Sequence, residues 1–312
     1  MRKNISLAKV ACLLLMLGLV AGCTAPRSVI NSGKVTAPGQ FKFGGNFGGN
    51  IATEPISQLD DITNAAVDAI TKKDTILYDN EIDVFSRALV AYSLDPVGPT
   101  FDFYVRYGIA PRFDAGYKYA SGAHALDVQY QFLGPTGTPL NPGEGKWYGS
   151  IALQYAAQSS GLVNQLLLDK LVPVFKFTAS RRDITVPLIF STSFGPEEEI
   201  GSFSFGVVYN HTFIKYGFEP RRLFRKYGEE YIRVESVMEK NNFPSFGFFL
   251  NGKIGYRYVY LLPALTVYYQ NYGTYSFLED REYSFSGMTF IPSLGLQVVL
   301  GGNKNTGRNV RR

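Results

Sequence analysis

The chain is poor in the residues that most often carry chemistry. Of 312 residues, two are cysteine, two histidine, four methionine and one tryptophan. Cys12 lies inside an N-terminal leader and Cys23 at its end, so the remainder has no disulfide and no thiolate metal cluster. His124 and His211 leave little for proton transfer near neutral pH, where imidazole is the usual carrier. No Ser-His-acid arrangement, glycine-rich phosphate loop or nucleotide fingerprint is legible. The expectation is a protein that is not an enzyme and holds no cofactor. Excess charge is also scarce. Against 31 basic residues stand 26 acidic ones, and Arg2, Lys3 and Lys9 leave with the leader, so 28 face 26 and nothing points to nucleic acid. The one long apolar run, 10–20, is shorter than the roughly 20 residues of a membrane-spanning helix.

The leader has a basic head without an acidic residue and a short apolar middle, the pattern of a secretory signal. It ends in Val20-Ala21-Gly22-Cys23, which resembles the lipobox of bacterial lipoproteins. That resemblance implies cleavage after residue 22 and a thioether-linked lipid on Cys23, the new N-terminus. Acyl chains contribute about 0.8 kcal/mol per buried methylene, so several make a firm tether. Thr24 replaces the aspartate that marks many enterobacterial lipoproteins for the inner membrane. The implied destination is the outer membrane of a diderm bacterium. Residues 23–39, bearing Pro, Ser and Gly without periodicity, read as the lipidated N-terminus and a linker.

What is abundant is aromatic and glycine residues: 24 Phe, 21 Tyr and 32 Gly, a bias toward strands. From residue 40 apolar and polar residues alternate. In 100–108, Phe101, Phe103, Val105 and Tyr107 oppose Thr100, Asp102, Tyr104 and Arg106. In 112–119, Phe113, Ala115, Tyr117 and Tyr119 oppose Arg112, Asp114 and Lys118. The same period of two recurs at 40–51, 126–132, 147–157, 171–180, 184–194, 203–214, 246–256, 259–271 and 288–300. Period two means one apolar and one polar face, in a soluble sandwich as much as in a membrane barrel.

Three features favour the barrel. Most segments run about 9 to 14 residues, beyond the ~5–6 of soluble strands and near the ~9–11 that tilted strands need to cross a bilayer. The polar faces carry charges in mid-strand while the apolar faces are bulky. Finally, Ser293-Leu294-Gly295-Leu296-Gln297-Val298-Val299-Leu300 resembles the C-terminal insertion signal of bacterial outer-membrane barrels, although it ends in leucine and a basic tail, 302–312, follows. The expectation is all-β: an antiparallel transmembrane barrel over 40–301.

Single-chain bacterial barrels have an even strand number, and the alternating segments number eleven. Residues 84–94 supply a twelfth with Val84, Ala88, Val90, Tyr92 and Leu94 on one face, though a helix is an alternative there. Twelve strands are expected, with ten as the alternative. Twelve strands place 52–83, 134–146, 215–245 and 272–287 outside. Residues 55–73, with Ile56, Leu59, Ile62, Ala66, Ala69 and Ile70 at helical spacing, read as an amphipathic helix in the first outer loop. It either caps the mouth or binds a partner. The basic cluster Arg221, Arg222, Arg225 and Lys226 is a solvated face or a contact for lipopolysaccharide phosphates.

The polar faces define the candidate site. Lys42, Arg106, Arg112, Lys118, Lys176, Lys253 and Arg257 are set against Asp102, Asp114 and Asp127 as lumen-lining charges. They read either as an anion-preferring lumen or as a salt-bridged core closing a narrow barrel. The functional expectation follows: a lipid-anchored small channel or solute-binding pore, with a non-conducting structural or assembly subunit as the alternative. The expected partners are outer-membrane lipid and, at the outer loops, lipopolysaccharide or a protein. His124 and His211 share parity with lipid-facing residues, which leaves an enzyme the remotest reading.

Overall fold

The structure is a computed structural model that describes residues 27–57, 76–77, 83, 86–87, 90–91, 94–120, 122–159, 175–220, 223–227, 229–277 and 281–301. Ten antiparallel strands close into a barrel. In chain order they are β1 (Gln40–Ala52), β2 (Gly98–Ala110), β3 (Phe113–Ala120), β4 (Ala123–Leu133), β5 (Trp147–Ser159), β6 (Phe175–Phe194), β7 (Gly201–Pro220), β8 (Val237–Tyr256), β9 (Val259–Ser276) and β10 (Glu282–Gly301). Each pairs with its neighbour in sequence, and β10 closes the ring on β1, with Phe41 opposite Leu300 and Phe47 opposite Leu294. Closure leaves no sheet edge exposed.

Alternation sets the two faces. Outward stand Phe43, Phe47, Phe103, Tyr117, Leu126, Leu153, Val207, Phe246, Ile254 and Leu296, all exposed. Inward stand Asn46, Asp102, Arg106, Lys118, Gln129, Thr185 and Gln270, all buried. A sandwich would bury its apolar faces; here the buried face is polar and the exposed one apolar.

Ten strands replace the expected twelve, for two reasons. The residues described between 83 and 94 (Asp83, Ser86, Arg87, Val90, Ala91 and Leu94) are helical. Their spacing of three and four puts them on one helix face, and all but Arg87 are buried. Residues 171–180 and 184–194, read as two strands, belong to one continuous β6 from Phe175 onward. The intervening Arg181-Arg182-Asp183 run is strand, with Arg181 and Asp183 inward and Arg182 outward. Of the helix expected at 55–73, residues 53–57 form a single short helical turn, Thr53–Ser57; from 58 on, the segment lies outside the described residues.

Losing the strand at 84–94 changes which end some loops occupy. Both ends of the barrel chain, Gln40 and Gly301, lie at one end, here the termini end, with the turns 111–112 and 257–258, the turn 195–200 and the loop 134–146. The loop 134–146 therefore sits at the end opposite to the one expected. The β1–β2, β3–β4, β5–β6, β7–β8 and β9–β10 connections leave from the other, loop end. There Ile76–Leu77, Leu223–Tyr227 and Glu230–Arg233 form a separate three-stranded sheet. Residues 27–38 are not a linker outside the barrel. They run inside it, largely buried, from Arg27 to Gly39 at the termini-end rim, where Gly39 N–H donates to Gly108 O at 3.0 Å.

Candidate functional site

The lumen is filled in three tiers. Nearest the loop end it is aromatic. Tyr216 and Tyr275 have ring centroids 5.4 Å apart, Phe218 and Phe277 6.0 Å, and Phe243 and Tyr272 5.1 Å. The helical stretch 83–94 is tied in here. Tyr283 Oη donates to Asp83, the Arg87 guanidinium lies 5.2 Å from the Tyr283 ring centroid, and Arg181 donates to Leu94 O.

The middle tier centres on Asp95, at the foot of that stretch. It accepts from Arg27 Nη2 at 2.6 Å, Asn50 Nδ2 at 2.6 Å, Gln270 Nε2 at 2.5 Å, Tyr272 Oη at 3.1 Å and Thr289 Oγ1. Arg27 also donates to Gln270 Oε1 at 2.7 Å and lies 5.0 Å from the Tyr268 ring centroid. Beside this cluster Arg181 pairs with Asp183 at 2.8 Å, and Asp183 also accepts from Asn210 and Thr212. Burial pushes the Asp95 carboxyl up, but Arg27 and Arg181 outweigh it and hold it below the ordinary aspartate value.

The third tier joins residues 27–38 to the barrel wall. Arg106 forks between Asp114 at 2.5 Å and Asp127 at 2.6 Å. Thr36 N–H donates to Asp114, and Lys118 Nζ to Ser28 O at 3.1 Å. Gln129 reaches Ser32 O, Gln131 Oε1 receives Val35 N–H, and Thr266 receives Val29 N–H. From the 195–200 turn, Glu197 pairs with Lys34, while Glu198 pairs with Lys253 at 3.1 Å and accepts from Ser32 Oγ. Glu197 and Glu198 have positive φ, 50° and 63°, a costly conformation for non-glycine residues, and both are buried. The buried backbone of the segment finds its partners in lumen side chains, as a buried polar backbone must.

The expected lumen residues divide. Lys42, Asp102, Arg106, Asp114, Lys118, Asp127 and Lys253 face the lumen. Arg112 does not; it occupies the β2–β3 turn with φ 73° and donates to Gln131 O at the rim. Arg257 does not either; it sits in the β8–β9 turn with φ 56°, its side chain 52% exposed and paired with Glu199. Lys176 has the even-numbered register of Arg182 and Ile184, opposite Glu219, not that of inward Arg181; its side chain lies outside the described residues. Sequence reasoning missed Arg27, Lys34, Asp95, Arg181, Asp183, Glu197 and Glu198. With them, the middle and third tiers of the described lumen hold Arg27, Lys34, Lys42, Arg106, Lys118, Arg181 and Lys253 against Asp95, Asp102, Asp114, Asp127, Asp183, Glu197 and Glu198. Seven face seven, so the positive lumen field expected from seven basic and three acidic residues does not arise.

Among the described residues the lumen shows two small cavities. One cavity of about 30 Å³ lies among Arg27, Tyr104, Arg106, Lys118 and Asp127, and one of about 20 Å³ among Lys42, Asp114, Glu198 and Lys253. Each is about the size of a water site. His124 and His211 are on the outer wall, bound to Tyr117 and Tyr209 at 2.8 and 3.0 Å.

No protein-family model and no curated protein matches the chain. Among solved structures it is similar to small outer-membrane barrels. The attachment invasion locus protein Ail of Yersinia pestis aligns at 10% identity, covering 84% of this chain and 99% of that one, with a TM-score of 0.31. The outer membrane protein OprG of Pseudomonas aeruginosa aligns at 9% identity over 87% and 100%, with a TM-score of 0.30. The translocator domain of the autotransporter NalP of Neisseria meningitidis aligns at 10% identity over 84% and 89%, with a TM-score of 0.32. The function is argued from the chain's own residues.

Proposed function

We propose that the protein is a closed, non-conducting outer-membrane barrel, anchored by lipid at Cys23, that serves as a structural element and presents its loop end to the outside. The occupied lumen carries this reading. Residues 27–38 and the described helical residues between 83 and 94 lie in it, its described charges are balanced, and the cavities among the described residues are of water size. Membrane residence is supported by the outer wall. Phe103, Leu126, Val207, Phe246 and Leu296 are 55–62% exposed, and an apolar belt of that extent has no place in water. Tyr and Phe cluster toward the rims, with Phe41 against Tyr107 at 4.5 Å and Phe113 against Tyr130 at 4.7 Å, where membrane interfaces favour aromatic rings. The anchor reading rests on Val20-Ala21-Gly22-Cys23. It is tested by intact mass, which should show acyl additions that vanish in Cys23→Ala; an unmodified N-terminus elsewhere would overturn it.

The channel reading keeps one observation in its favour: residues 27–38 are held in the lumen by side-chain hydrogen bonds, ion pairs and the packing of Val29 and Ile30, all non-covalent, so they form a removable plug. Planar-bilayer recording separates the two. The full-length protein should pass no steady current, and a variant lacking 27–38 should conduct. Steady conductance from the full-length protein would make it a channel instead.

A further inference from the structure

On the assumption that the barrel sits in an outer membrane, we infer that Arg182, Lys215 and Lys240 form a binding site on its outer wall for the phosphate groups of an outer-leaflet glycolipid. Lys215 of β7 lies directly opposite Lys240 of β8, and Phe213, which pairs with Arg182 of β6, is two residues before it. Arg182 is thus the diagonal neighbour of Lys215. All three side chains are exposed and on the outward face. Two like charges facing each other across a strand pair destabilise a sheet, and a third cation on the diagonal adds to the repulsion. None of the three has a hydrogen bond or ion pair among the described residues. The nearest outward-facing carboxylate described on these strands, Glu219, lies four residues farther along β7. Among the described residues, the lumen pairs Arg27–Asp95, Arg106–Asp114 and Arg181–Asp183 are neutralised from within; this cluster is not.

Its height supplies the counter-charge. Along β7 the outward residues are Phe203, Phe205, Val207, Tyr209, His211 and Phe213 before Lys215. Ten residues of tilted strand cover roughly 25 Å, the height of an apolar belt. The same change comes on β8 between Phe246 and Lys240, and on β6 between Ile184 and Arg182. Just below the cations, Tyr209, His211 and Asn242 form a hydrogen-bonded layer, with His211 Nε2 3.2 Å from Asn242 Oδ1. The three cations therefore sit at the headgroup level of the leaflet nearest the loop end. Phosphates there are held at fixed depth, and two ammonium groups flanked by a guanidinium match a phosphate's oxygens by charge-assisted bonds.

The test uses the folded full-length protein in detergent and native mass spectrometry. The probes are a bisphosphorylated lipid A, the same lipid after removal of its phosphates, and inorganic phosphate. The bisphosphorylated lipid should bind, and the dephosphorylated lipid and inorganic phosphate should bind at least tenfold more weakly. Binding should fall about tenfold or more in K215Q/K240Q, as expected for loss of charge-assisted bonds, and less in R182Q. Each variant should keep the heat-modifiable mobility of the folded barrel. Equal binding by wild type and K215Q/K240Q, or equal binding of phosphorylated and dephosphorylated lipid, overturns the site. Failure to insert into liposomes at all would instead overturn the membrane reading on which it rests.

Discussion

Phe103 and Tyr104 follow one another in β2 and meet opposite surroundings. Phe103 is 55% exposed on the outer wall, whereas Tyr104 is buried, packs with Ile30, Tyr260 and Leu262 and accepts from Gln297 Nε2 at 2.8 Å. Phe103→Arg should cost about 2–4 kcal/mol near the bilayer midplane, measured by folding into lipid vesicles. Tyr104→Arg should be no better tolerated, since the space it would need is already filled. Across the strand pair, a Cβ added at Gly44 would lie 2.3 Å from the Tyr104 ring. Gly44→Ala should therefore destabilise the barrel by about 1–3 kcal/mol, the usual cost of overpacking, read from the urea midpoint. The outward residues were legible in the sequence because strand parity alone decides them. Tyr104 was not, because its neighbours Ile30 and Tyr260 are remote in sequence.

At the scale of elements, the strands with one wet and one greasy face could be read, and the pieces enclosed by them could not. Residues 27–38 are surrounded on all sides, so nothing requires them to alternate, and they look like linker. In the sequence of 84–94, Val84, Ala88, Val90, Tyr92 and Leu94 share parity, which imitates a strand, although the described residues there are helical. The charged run 181–183 separates two alternating segments in the sequence, because the neutralisation of Arg181 by Asp183 is invisible until both side chains are seen inward. The seat of the 27–38 segment rests on buried ion pairs, and breaking one by removing a single partner costs about 3–5 kcal/mol. Arg27→Ala should consequently raise amide hydrogen exchange across 27–38. The same exchange should depend on acid. Burial pushes Asp95 and Glu198 up, but Arg27 and Lys253 respectively lead the groups that hold both carboxyls below their ordinary values. Their contribution is present above the unfolded values of about 3.9 and 4.3 and is lost as pH falls through the lower folded values. Protection of 27–38 should be full at pH 6, begin to weaken below about pH 4 and go on weakening as pH falls toward the lower folded values. Protection that shows no weakening anywhere below about pH 4 would mean that these carboxylates do not hold the segment.

The molecule as a whole is lopsided. Strands β6, β7, β8 and β10 have 20 residues and β9 has 18, whereas β1 to β5 have 8 to 13. Twenty residues of tilted strand rise roughly 50 Å, about twice the apolar belt, so one side of the wall stands proud of the membrane at the loop end. The direction of the enclosed segment then matters for the tether. Arg27 meets Gln270, eleven residues along β9 from Val259, which puts it roughly 28 Å from the termini-end rim. Arg27 is only four residue steps from Cys23, a span of about 14 Å at full stretch. A photo-crosslinker at position 27 should capture β9 in protein whose mass shows the acylated Cys23. Capture confined to Cys23→Ala protein would mean that seat and tether exclude each other. Where both hold, the leash is too short to moor in the leaflet beside the chain's own termini end, and the acyl chains must lie across the bilayer, on the face that the loops overlook.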